Sequence, residues 1–134
     1  MNRLNLAYGT VQTTQKPFAD VVAALKAQLP QHGFGLQCEI DLAKTLREKL
    51  GVDGLPYVIL GICNPTFAHE ALQREPMLGL LLPCNLVVTQ TESGTSVGAV
   101  DAAALLGVVG NPALQSMAQE VNTHLHAIID AALA

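Results

Sequence analysis

Apolar and polar positions alternate weakly from Leu4 to Thr13, and Tyr8, Thr10 and Val11 add β-favouring side chains, so this segment predicts a first strand. Phe18, Val21, Val22, Leu25 and Leu29 then recur at the spacing of one buried helical face. Thr14 is the expected cap of that helix, Pro17 falls in its first turn, and Pro30 and Gly33 end it. Phe34, Leu36, Cys38 and Ile40 fall on one side of a second strand with Gln37 and Glu39 opposite, which puts Cys38 in the core. Asp41 is placed to cap a second helix carrying Leu42, Leu46 and Leu50, closed by Gly51.

Tyr57 to Ile62 is apolar on both faces and predicts a central strand covered on both sides. Asn64-Pro65 opens a third helix that runs to about Arg74, with Pro76 beyond it. Cys84 to Gln90 and Thr95 to Val100 predict a hairpin turning at Glu92-Ser93-Gly94. Gly107, Gly110 and Asn111-Pro112 form a last loop, and the chain finishes as one long helix over about 112–133. Its stripe of Leu114, Ala118, Val121, Leu125, Ile128 and Ala132 steps by four and three residues, the repeat of a helix lying along a partner helix or a sheet. The order is β-α-β-α-β-α-β-β-α. Mixed order with a hairpin favours an α+β fold, and the absence of a linker or repeat makes residues 1–134 a single domain.

Half of the 134 residues are apolar but only 4% are aromatic, with no Trp, so the core is built from Leu, Val, Ile and Ala. Seven Lys and Arg stand against eleven Asp and Glu, a formal charge of −4, and the basic residues form no cluster. That argues against a nucleic acid partner and against a polybasic membrane patch. The start, Met1-Asn2-Arg3-Leu4-Asn5-Leu6, lacks the apolar stretch of a signal peptide. No apolar run reaches the roughly 18 residues of a membrane span. The expected compartment is the cytoplasm, and three cysteines there argue against a disulfide scaffold.

Candidate chemistry gathers between Gly61 and Asn85. Cys63 leaves a strand just before a helix start, where the positive end of the helix dipole is expected to lower a thiol pKa. Asn64 is suited to be an N-cap, and His69, about one turn on, leans back toward the same loop. Cys84 opens a later strand, so a neighbouring pair of strands would bring it to Cys63. Cys63, His69 and Cys84 would then form a three-ligand site for a soft metal ion, with one position open. The intervals, five residues between Cys63 and His69 and fourteen between His69 and Cys84, match no zinc signature, and buried cysteines are usually inert packing. Asn85 either satisfies loop backbone or faces a pocket. Glu120 with His124 and His126 with Asp130 are four apart on the last helix and give surface support. No nucleophile elbow, phosphate loop or dinucleotide fingerprint is present.

Gly33-Phe34-Gly35, Glu39-Ile40-Asp41, Lys49-Leu50-Gly51-Val52, Pro56 to Gly61, Cys63-Asn64-Pro65, Ala68-His69 and Gly79-Leu80-Leu81-Leu82-Pro83-Cys84-Asn85 together resemble the bacterial domain-of-unknown-function 302 (DUF302) family. The resemblance runs from about Leu6 to Asp101 and is weaker from Ala102 onward. It implies a curved, mainly antiparallel sheet packed against helices, and homodimers. It brings no activity and no catalytic residues, but Cys63, Asn64, His69, Cys84 and Asn85 match its motif positions. Three readings follow. The first is a homodimeric binding protein holding a small ligand or metal ion near Cys63, His69 and Cys84. The second is a thiol-dependent enzyme or redox protein using Cys63, with His69 as base. The third is an interaction module assembled through the long last helix.

Overall fold

A computed structural model describes residues 3–134. Met1 and Asn2, the start of the N-terminal segment read above, lie outside the described residues. Among the described residues the strands are β1 (Leu4–Leu6), β2 (Gly9–Thr14), β3 (Gly35–Asp41), β4 (Tyr57–Cys63), β5 (Cys84–Thr91) and β6 (Gly94–Val100). The α-helices are α1 (Phe18–Gln28), α2 (Leu42–Leu50), α3 (Pro65–Arg74), α4 (Ala102–Gly107) and α5 (Gln115–Leu133). The strands make one sheet in the order β1-β2-β6-β5-β4-β3, antiparallel at every pairing. This is an α+β fold with one hydrophobic core.

Alternation along the strands sends one set of side chains to the helices. Val58, Leu60 and Ile62 of β4, Leu86 and Val88 of β5, and Val97 and Ala99 of β6 are all buried. They meet Val21 and Leu25 of α1 and the stripe of α5, whose Ala118, Val121, Leu125, Ile128 and Ala132 are buried as well. α5 packs on α1, α4 and β6, so its apolar stripe is buried inside the chain.

Polar residues then tie the hairpin ends to α5. Gln12, 1% exposed, accepts from Arg3 Nε at 3.1 Å and donates to Asp130 at 3.3 Å, while Arg3 Nη2 donates to Asp130 at 2.8 Å. Asp130 is thus engaged across the fold instead of serving only as the expected helix partner of His126. At the other end of the stripe, Asn122 accepts from Ala102 N–H at 2.7 Å and donates to Asp101 at 2.9 Å. That donation, with the α4 cap made to Ala104 N–H, holds the Asp101 carboxyl below its ordinary pKa. Burial lowers the pKa of nearby His126.

Several expectations are corrected. The first strand is two, β1 and β2, because the chain turns back at Ala7-Tyr8 to pair Leu4 with Val11. Thr14 caps no helix, since α1 begins after Pro17 without a side-chain cap. β4 lies next to the edge strand, not at the centre. A bulge between Leu36 and Cys38 breaks the alternation of β3, so Leu36 sits opposite Ile62 and Cys38 opposite Gly61. Cys38 is therefore exposed on the outer face rather than in the core, and Glu39 turns to the helix side, where it pairs with Lys26 of α1. The expected last loop contains α4, capped by Asp101, and the last helix opens with a 3-10 turn at Pro112–Leu114 before α5. No helix among the described residues is long and apolar enough to cross a membrane.

Candidate functional site

β4 ends at Cys63, and the next residue reverses the chain into α3. Asn64 is the N-cap: its side-chain oxygen accepts from Thr66 N–H at 3.0 Å and Phe67 N–H at 3.2 Å, and Pro65 occupies the first turn. These bonds occupy the oxygen of Asn64 and fix the angle at which α3 leaves the sheet. Replacing Asn64 with Ala removes them and should cost about 1 kcal/mol in chemical denaturation. The variant should keep the secondary structure seen by far-ultraviolet circular dichroism.

Between α3, the end of the sheet and the C-terminal helices lies a cavity of about 300 Å³. Phe34 and Ile62 form its sheet wall, Phe67, Ala68 and Ala71 of α3 face them, and Leu78, Leu82 and Pro83 close one side. Ala102 and Leu106 of α4 and Met117 and Val121 of α5 complete it. The small side chains of Ala68, Ala71 and Ala102 leave the volume that longer ones would fill. Its polar groups are Gln37, Cys63, Asn64 and Cys84, and none of the lining residues is charged. Beside it, His124 of α5 packs edge-on to His32 and at a tilt to Phe34 and Phe67, with ring centroids 6.0–6.1 Å apart.

Pairing of Ile62 with Cys84 brings the ends of β4 and β5 together, so Cys63 and Cys84 line the same cavity. The expected activation of Cys63 is reversed. Burial raises its pKa, and burial together with the Cys63 thiolate pushes Cys84 up to about 11. Desolvation of the charged form outweighs the helix dipole here, and Asn64 already takes up two N–H groups at the start of α3.

Two other candidates separate from this pair. His69 is exposed on α3, within hydrogen-bond distance of Gln73 Nε2 at 3.2 Å, and does not line the cavity. Among the described residues no three His, Cys, Asp or Glu side chains are gathered so as to hold a metal ion. The Cys63-His69-Cys84 metal site is therefore not assembled, because the helical twist carries His69 round to the solvent side of α3. Asn85 follows Cys84 by one residue and so points to the opposite face of the sheet, where it is exposed.

A model of the domain of unknown function DUF302 matches residues 9–132. The chain belongs to the DUF302 family. The solved structure of an uncharacterised conserved DUF302 protein from Bacillus stearothermophilus is 32% identical and superposes with a TM-score of 0.85, covering 91% of this chain and 95% of that one. No curated protein matches this chain.

The family match therefore extends past Asp101, through α4 and most of α5, where the sequence motifs thin out. Phe67, Ala71, Leu106, Met117 and Val121 were not singled out as site residues by sequence. Their only signal is apolar character, which is the same signal that core packing leaves.

Proposed function

We propose that this DUF302 protein is a cytoplasmic, homodimeric binding protein that holds a small, neutral, apolar ligand in the cavity beside Cys63 and Cys84. The observation that carries the reading is the cavity itself: about 300 Å³, walled by sheet and three helices, with four uncharged polar groups along an otherwise apolar lining. Without a charged group in the lining, neither an anion nor a cation would recover the cost of leaving water. Gln37, an exposed residue of the lining, would orient a carbonyl or hydroxyl on the ligand through its amide. Three free cysteines suit a reducing compartment.

The thiol-dependent alternative is weakened by the raised pKa values of Cys63 and Cys84, and the assembly role of the last helix by the burial of its stripe.

The neutral fluorophore 1-aminoanthracene tests the ligand reading. Its emission should rise saturably on titration with the protein and fall on competition with 1-decanol. Ala71→Leu, which extends a buried side chain into the cavity, should weaken binding at least tenfold while the melting temperature holds or rises. Absence of saturable binding when wild-type protein is raised to about 1 mM against a micromolar probe would sink the proposal.

A further inference from the structure

Cys63 is the last residue of β4 and Cys84 the first of β5, so two thiols border the cavity at one end of the sheet. The Cα partner of Cys84 is Ile62, the residue just before Cys63. The spacing of facing antiparallel residues and the rise along a strand put the two cysteine Cα atoms roughly 6 Å apart. That lies within the span of about 4.4–6.8 Å that a direct sulfur–sulfur bond bridges, and an atom held between two sulfurs tolerates a wider gap. The thiols are also close enough for charge on Cys63 to oppose ionisation of Cys84. Cys38 stands apart, exposed on the outer face and outside the cavity lining.

What two thiols can bind is limited by what surrounds them. Zinc takes four ligands, and among the described residues no third His, Cys, Asp or Glu joins the pair. Copper(I) held by two thiolates keeps a net negative charge, and the lining offers no cation to offset it. A bare two-coordinate dication such as mercury(II) would be neutral but would leave the apolar space beside it unfilled. That space is large: the cavity measures about 300 Å³, whereas roughly 150 Å³ of apolar space holds a benzene molecule. The fitting centre takes two sulfurs, is neutral before and after binding, and carries an apolar group. Burial raises the pKa of both thiols, so they enter the reaction protonated and the cavity starts uncharged.

We infer that the cavity is a dithiol site for trivalent arsenic bearing one organic group, with Cys63 and Cys84 as its two ligands. This rests on the cavity reading above and names the class of ligand that the cavity takes. In its hydrated form, R–As(OH)2, such arsenic is uncharged and soft, and thiols displace its oxygens. Two As–O and two S–H bonds break, two As–S bonds form, and each proton leaves with a hydroxide as water. Arsenic stays trivalent throughout, so the step needs no oxidant or reductant. The product is uncharged in an uncharged lining, and Phe67, Ala71, Leu106 and Met117 give an aryl or alkyl R an apolar wall.

Phenylarsine oxide, which hydrates to this form, tests the inference on reduced protein. Intact-mass spectrometry should find one phenylarsenic per wild-type chain, kept in excess 2-mercaptoethanol and stripped by 2,3-dimercaptopropanol. Holding the second thiol in place raises its effective concentration, so Cys63→Ser and Cys84→Ser should each weaken binding about 100-fold or more, with Cys38→Ser unchanged. Binding of 1-aminoanthracene by each variant checks that its cavity is still formed, and Cys63→Ala decides the matter if Cys84→Ser does not fold. Inorganic arsenite, which lacks R, should bind about tenfold more weakly than the phenyl compound, and equal affinities would remove the organic group from the assignment. Wild type that binds 1-aminoanthracene but loses phenylarsenic to 2-mercaptoethanol would overturn the dithiol site and leave the cavity reading standing. So would undiminished affinity in the Cys63 variants. Failure of both probes would overturn both.

Discussion

Leu125→Ala should lower the stability of this protein by about 2–5 kcal/mol. Leu125 is fully buried at the centre of the α5 stripe, between Val121 and Ile128 on the same helical face. That face is where α5 lies on α1 and the sheet, so the truncation opens a cavity at the junction of layers rather than at a margin that could collapse. Both the lost transfer energy of the side chain and the unfilled volume count against the folded state. Urea denaturation monitored by circular dichroism should show a lower midpoint with an unchanged slope, and the melting temperature should fall by roughly 10 °C. A loss below about 0.5 kcal/mol would mean that α5 is not the central support of the core.

The second large effect concerns the paired thiols. At pH 8 a thiol of pKa about 11, as for Cys84, is thiolate in about one molecule in a thousand, against about one in ten at the ordinary value of 9.0. Ionisation alone should therefore slow alkylation of Cys84 by iodoacetamide about 100-fold relative to an ordinary thiol, and its burial should slow it further. Mass spectrometry of peptides from a timed reaction should find the exposed Cys38 modified first and Cys84 last. The same shift links to stability. The native state favours the protonated thiol, so its contribution is complete below pH 9 and is lost as pH rises toward 11. The shift corresponds to about 2–3 kcal/mol, and Cys84→Ser should flatten this alkaline decline. Rapid modification of Cys63 at neutral pH would restore the reading of Cys63 as a reactive thiol.

Both expectations depend on how the chain distributes burial. Wherever the pattern was long and regular, the sequence carried the element. The α5 stripe repeats over five turns, and α2 and α3 are bracketed by Asp41 with Gly51 and by Asn64 with Pro65, signals that act through bonds within a few residues. The β5–β6 hairpin is likewise local, because its turn joins neighbouring strands. Where one displaced residue changed the outcome, the sequence was silent. The bulge in β3 leaves Leu36 on the helix side while Cys38 and Ile40 go to the outer face, and that bulge exists only through the pairing of β3 with β4. α4 is six residues long, too short to leave a periodic signal beyond its Asp101 cap.

The candidate site divides in the same way. That Cys63 sits at a strand end and Asn64 caps the next helix was legible in the sequence, since both are settled by adjacent residues. That Cys84 joins Cys63 depended on β5 being the antiparallel neighbour of β4, and that His69 turns away depended on how α3 is rotated over the sheet. The sign of the thiol pKa shift was beyond the sequence for a related reason. A helix dipole can be inferred from a local motif, but desolvation is set by Leu82, Leu106, Met117 and other residues brought in from distant segments. By itself the sequence determined the family, the α+β class, the caps at Asp41, Gly51 and Asn64 and the stripe of the last helix, because short-range bonds and periodic burial are written in consecutive residues. The cavity and the pairing of its cysteines were decided by the tertiary structure, because each depends on which distant segments lie side by side and on the small side chains that keep them apart.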